Sequence, residues 1–246
     1  MMRVGHVLAL CTVVVSTSGA AIAQEIDWKK VDEAIGRSAA VVSGDVHRYG
    51  FPRSDLHVTL DGVTIRPALA LGGWTAFKPM HGDPVKLATA IRTGLAASKI
   101  PLTPPSPPAT QPTIDLDTGQ LDQIIGVKGQ ANGGVYQLGV PRRDPISETG
   151  TQMTPAGPLG LATGIGFQPT GGGKAAITGD FVLAAEEVNP VIQTLRSNGI
   201  EVTALHSHML DEQPRLFFMH FWANDDALKL ARALRAALDK TASAKS

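Results

Sequence analysis

Three histidines near the C-terminal end are the residues of this sequence best equipped to do chemistry. His206 and His208 lie in Ala204-Leu205-His206-Ser207-His208-Met209-Leu210. His220 lies in Arg215-Leu216-Phe217-Phe218-Met219-His220-Phe221-Trp222. Neutral imidazole is a ligand for zinc, copper, nickel and iron. Three imidazoles with a fourth position open are a known zinc arrangement. His206, His208 and His220 are therefore the candidate ligands of zinc or another divalent transition metal. The competing reading is three packed rings whose nitrogens bond to carbonyls or carboxylates. The nearest carboxylates in sequence are Glu186, Glu187, Asp211 and Glu212. Of these, Glu187 and Glu212 are candidate general bases for a metal-bound water. The same residues also suit plainer roles, at a helix start and in a turn.

Such a site needs strands to hold it. Ile200 to Leu210 and Arg215 to Trp222 read as two buried strands, joined by a hairpin turn at Asp211-Glu212-Gln213-Pro214. On a strand, residues i and i+2 share a face, so His206 and His208 should project together. The returning strand would bring His220 opposite one of them. Upstream, Ala175 to Leu183 reads as another strand. Asn189 is an expected N-cap, with Pro190 at the first helical position and Val191, Ile192 and Leu195 as the apolar face. A final helix, capped by Asn224 or Asp225, carries Leu230, Ala231, Leu234 and Leu238 inward. The expected class is α+β: a ferredoxin-like β-α-β-β-α layer in the C-terminal half.

The N-terminal half is expected to be rich in strands. A short helix from Asp27 to Ile35 precedes strands at 41–49, 56–60 and 63–71, with Asp61-Gly62 as a turn. Asp83-Pro84 opens a helix with Leu87, Ala88, Ile91 and Leu95 on one face. Residues 101–113 are proline-rich, favour polyproline II and mark a domain boundary. Beyond them the pattern starts again. Residues 44–55 lie over 133–144, and the helix from Asp83 lies over the one from Asp226. The expected organisation is a signal peptide at 1–23, a shortened first repeat at 24–100, a linker at 101–113 and a complete second repeat at 114–246. Only the second repeat carries the histidine hairpin. The string Thr170-Gly171-Gly172-Gly173-Lys174 lacks phosphate-loop spacing and reads as a hairpin turn.

Composition narrows the classes. The chain has 246 residues, 43% of them hydrophobic, and a formal net charge of +0. No basic stripe with interleaved aromatics points to nucleic acid. No apolar run reaches the length of a transmembrane span. Arg3, the apolar run from Val7 to Ser16 and Ala21-Ile22-Ala23 make a cleaved export signal, so the protein is expected to be periplasmic or extracellular. Cleavage there removes Cys11, the only cysteine, and with it disulfide and thiolate chemistry. Lipid anchoring through Cys11 is the weaker alternative, since Leu10 is bulky where a small residue is wanted.

Four strings carry a family resemblance. They are Gly-Gly-Val-Tyr-Gln at 133–137, Ala-Ile-Thr-Gly-Asp-Phe-Val-Leu at 176–183, Glu-Val-Asn-Pro-Val-Ile at 187–192, and the stretch from Gly199 to Ala223. Together they resemble the LppY/LpqO-type exported proteins, a family of unknown function. The resemblance implies export and a duplicated domain and brings no established activity. The reading that follows is an exported binding protein for an unknown small ligand or envelope component, with a metal site at the histidine hairpin. A zinc-dependent hydrolase or lyase is the second reading. An envelope scaffold without a small-molecule site is the third.

Overall fold

The computed structural model describes residues 25–42, 46–70, 82–103, 110, 112–153, 157 and 159–243. The expected signal with Cys11, His81, residues 71–80 and residues 104–109 and 111 of the proline-rich stretch lie outside them.

Local signals set the first elements. Helix α1 (Trp28–Ile35) begins where the Asp27 carboxylate accepts the Lys30 N–H, and ends at Gly36 with φ of 82°. Short hairpins follow: β1 (Ala40–Val42) with β2 (Val46–Arg48), then β3 (Val58–Leu60) with β4 (Val63–Ile65). The strand expected at 63–71 stops at Ile65, and Pro67–Ala70 turns instead into a short helix, α2. Helix α3 (Pro84–Ala96) has the expected Asp83 cap and Pro84 start. Val31, Ile35, Phe51, Ala88 and Leu95 form a small core of their own. Ile26, just ahead of α1, is exposed.

The second half is built on one sheet. Helix α4 (Thr118–Ile125) leads to β5 (Gln130–Asn132) and β6 (Val135–Pro141). A small hairpin, β7 (Ser147–Glu148) and β8 (Thr151–Gln152), precedes the long pair β9 (Ala162–Gly171) and β10 (Lys174–Leu183). Gly171, Gly172 and Gly173 all have positive φ, so the glycine-rich string is the tight turn of this hairpin. Then come α5 (Ala185–Ser197), β11 (Glu201–His206), β12 (Glu212–Gln213), β13 (Phe217–Asp226) and α6 (Ala227–Leu238). The six-stranded sheet runs β11-β13-β10-β9-β6-β5, all antiparallel. Parallel β10 and β11, joined through α5, are split by β13. The class is α+β.

Three sequence expectations are corrected. Helix α5 starts at Ala185, not Asn189, so Pro190 lies inside it. The Glu187 carboxylate reaches back to the Ala184 N–H at 2.7 Å and fixes the earlier start. Helix α6 is capped by Asp226, whose carboxylate accepts the Lys229 N–H at 2.7 Å, rather than by Asn224 or Asp225. Asp211-Glu212-Gln213-Pro214 is not a simple turn: Glu212 and Gln213 form β12 and pair with β7.

The sheet has two faces. On one, Phe167, Ile177, Phe181, Met219 and Phe221 pack under α4, α5 and α6 in the main core. Each fully buried phenylalanine there contributes about 1.5–3 kcal/mol. Among the described residues, the other face is covered only in part. At one end Trp222 and Ala176 pack against Ile65 and Leu69. Four hydrogen bonds pin that cover: Trp222 Nε1 donates to Asp61, Gln168 donates to the Thr64 carbonyl and accepts the Arg66 N–H, and Gln137 donates to the Ala68 carbonyl. At the other end Val182 and Phe218 lie under Ile146, Met153, Leu161, Met209 and Leu216. Between the covers, His220 and Asp180 are half-buried on the sheet.

Candidate metal centre

Register, more than strand periodicity, brings the histidines together. Strand β11 is an exposed edge strand, not a buried one, and it ends at His206. His206 pairs with Phe218, and Ala204 with His220. His220 and His206 therefore sit diagonally on the same face of neighbouring strands. His208 lies past the strand end in a bend, so the i, i+2 rule does not place it. Packing does. Its ring stacks on Phe218 with centroids 3.5 Å apart and planes 13° from parallel. The Ser207 hydroxyl bonds the Leu216 carbonyl at 3.2 Å, and the Arg215 guanidinium bonds the Met209 and Leu210 carbonyls. These contacts turn the chain back so that His208 meets His206 all the same.

The three rings converge. The Nε2 atoms of His206 and His208 are 3.0 Å apart, and ring centroids of His206 and His220 are 4.9 Å apart. One ligand atom from each of the three lies within 4.8 Å of the others. Tetrahedral zinc–nitrogen bonds of about 2.0–2.1 Å put ligand nitrogens about 3.4 Å apart, so small side-chain rotations reach a shared ion. His220 Nδ1 is 3.1 Å from the Gly179 carbonyl. A carbonyl only accepts, so Nδ1 carries a proton, and in the neutral ring Nε2 keeps the lone pair. That is the tautomer a metal needs, held by the kind of second bond metal-ligating histidines make.

The electrostatics favour neutral rings. Burial, then the nearby His206 and His220 rings, push the His208 pKa down to about 4. Burial and His220 also lower that of His206. Beside them stands Asp180, a residue that sequence reasoning missed. It pairs with His220 across β10 and β13, and its Oδ1 is 3.8 Å from His220 Nδ1. That oxygen is enclosed and has no hydrogen-bond partner. Burial raises the Asp180 pKa to about 6, against the pull of His220. The available signal was a carboxylate in the middle of an otherwise apolar and small-residue strand.

The two carboxylates singled out from sequence are structural. Glu187 takes both nitrogens of the buried Arg142 guanidinium, and also the N–H groups of Ala184 and Ala242. Four donors fill its lone pairs, so nothing is left to activate water. Glu212 is buried and accepts the Leu216 N–H at 2.9 Å and Arg215 at 3.3 Å, which stiffens the loop behind His208. Both are set aside as general bases.

No helix among the described residues is long and apolar enough to cross a membrane. No curated protein and no solved structure matches the chain. A family model matches residues 29–88 and 119–240, taking in both halves and all three histidines, and the chain belongs to that family, described as Domain of Unknown Function (DUF1259).

Proposed function

We propose that this is an exported protein that binds a divalent transition metal, zinc foremost, through His206, His208 and His220, and through the metal a small ligand. One observation carries the reading: three imidazoles from separate backbone positions present ligand atoms within 4.8 Å of one another, at a surface a ligand can reach. The Nε2 atoms of His206 and His208 lie 3.0 Å apart, and a shared ion would accept a lone pair from each of the three rings. The export signal at 1–23 and the LppY/LpqO resemblance support a periplasmic or extracellular setting. The test uses protein purified without a histidine tag. Zinc should bind one equivalent per chain, and His206→Ala or His220→Ala should weaken binding at least about 100-fold. Wild-type protein binding zinc no more tightly than the triple alanine variant would sink the reading.

A second reading, a metal-dependent hydrolase or lyase, is favoured by Asp180. A carboxylate held near pH 6 beside a three-histidine site suits proton transfer at neutral pH. Turnover of a hydrolysable ester or amide that is lost in Asp180→Asn, with zinc affinity kept, separates an enzyme from a binding protein.

A further inference from the structure

Among the described residues, the strip of the sheet between the two covers is left open. Reading across the strands at the level of His220, the paired residues are His220, Asp180, Gly164 and Gly139. Two of the four have no side chain. A Cβ built on Gly164 or on Gly139 meets no atom of the described residues within 4 Å. The neighbouring rows are filled. Leu69 lies 3.0 Å from the place of a Cβ on Gly166, and Val182 and Phe218 are fully buried on the opposite side. Among the described residues the result is a slot one row wide, walled by the two apolar covers and floored at Gly164 and Gly139 by bare backbone. Three inter-strand spacings make it about 14 Å long. The histidine cluster stands at one end of it.

The slot has one polar side chain in its floor row besides His220. Asp180 is 26% exposed although its Oδ1 is enclosed, so Oδ2 is the oxygen that opens into the row. No described side chain donates a hydrogen bond to either oxygen. An acceptor left open in a largely apolar channel selects for a donor. A ligand with a second anionic group would place like charges together and be disfavoured.

We propose that this row is a ligand slot continuous with the histidine cluster, taking a small neutral molecule that gives a lone pair to the metal and an O–H or N–H donor to Asp180. The proposal rests on the metal reading and adds the class of ligand. Gly164 and Gly139 keep the floor open, and Asp180 chooses among molecules that fit.

The experiment uses the full chain loaded with cobalt, whose visible spectrum reports its ligands, and two probes. 3-Hydroxypyridine and 3-methoxypyridine both bind metal through one ring nitrogen, and only the first can donate from its ring oxygen. The hydroxy probe should bind wild type about tenfold more tightly, and the preference should vanish in Asp180→Ala. Gly164→Val should weaken both probes about tenfold or more and leave cobalt affinity unchanged, because its side chain fills the slot without touching the histidines. Equal binding of the two probes to wild type, or probe binding to Gly164→Val as tight as to wild type, overturns the proposal. If Asp180→Ala does not fold, Gly164→Val alone decides. If cobalt does not bind, the metal reading has failed by itself. The slot is then judged on metal-free protein by the thermal stabilisation that 3-hydroxypyridine gives. Stabilisation lost in Gly164→Val upholds the slot, and no stabilisation overturns it.

Discussion

The two halves of the chain use one set of bonds for different ends. In the first, Asp27 caps α1, Gly36 ends it, and Asp32 accepts the Tyr49 hydroxyl at 2.6 Å and the Ala39 N–H at 3.2 Å. In the second, Asp117 caps α4, Gly126 ends it, and Asp122 accepts the Tyr136 hydroxyl at 2.6 Å and the Gly129 N–H at 2.9 Å. Arg92 of α3 reaches the Ile35 carbonyl, and Arg235 of α6 reaches the Ile125 carbonyl. The surroundings differ. The first frame closes over a small core with a two-stranded hairpin. The second lies on a six-stranded sheet, and all three histidines and Asp180 belong to strands, or the loop after one, that the first half lacks among its described residues. The repeated frame supplies support, and the candidate site lies in elements that the first half lacks among its described residues.

The sharpest difference is at two equivalent arginines. Arg53 pairs with Asp55 and Arg142 with Asp144, each two residues along. The Arg53 side chain is 29% exposed, whereas that of Arg142 is 1% exposed and bonded to Glu187 as well. Arg142 also holds the Val182 carbonyl at 2.8 Å. Glu187→Ala leaves the buried Arg142 guanidinium with only Asp144 and the Val182 carbonyl, and takes the acceptor from the Ala184 and Ala242 N–H groups, so it should cost about 3–5 kcal/mol of stability. Arg53→Ala breaks a surface pair and should cost less than about 1 kcal/mol. Urea denaturation of both variants checks this, and similar midpoints would mean that the Glu187 pair carries no special weight.

The tyrosines give a smaller effect. Tyr136→Phe and Tyr49→Phe each remove one hydroxyl that donates to a carboxylate, and each should cost about 1.5–3 kcal/mol if the two frames are equally tight. Burial, with the bond to the carboxylate, raises both phenol pKa values, Tyr136 to about 12. Amide hydrogen exchange would locate the damage. Tyr49→Phe should loosen α1 and α3 while the sheet keeps its protection. Loss of protection across β10 and β13 in that variant would show that the halves do not open separately.

How far the sequence carries depends on how local the cause is. Asp27, Asp83 and Gly36 act within one helical turn, so α1 and the start of α3 were legible almost to the residue. Asn189-Pro190 is an equally good local signal and it misled, because the start of α5 is set by Glu187 bonding back to Ala184 and across to Arg142, 45 residues away. The histidine trio was legible from residue type, but for a reason that proved incomplete: His208 is placed by Phe218 and a pinned loop, not by strand alternation. Asp180 was hidden because its nearness to His220 comes from the register of β10 on β13, which no short stretch of sequence encodes.

Acid should separate the site from its scaffold most gently. In the metal-free protein the His208 pKa is held at about 4, below its ordinary value of 6.5. Between those values the folded chain binds fewer protons than the unfolded one, so this group's stabilisation is present above about pH 6.5 and is lost as pH falls towards 4. The lowered His206 pKa acts in the same direction. Asp180 opposes both. Its pKa is raised from 3.8 to about 6, so the folded chain holds a proton that the unfolded chain has released, and stability grows as pH falls through that range. The net slope in wild type is therefore shallow, and exposure of His208 screens it further. Single variants expose the parts. His208→Gln should lose less stability than wild type between pH 6.5 and 4. Asp180→Asn should lose more, because the opposing group is gone. Denaturation midpoints across that range settle it, and parallel curves for all three proteins would show that His208 and Asp180 titrate in the folded chain as they do in the unfolded one.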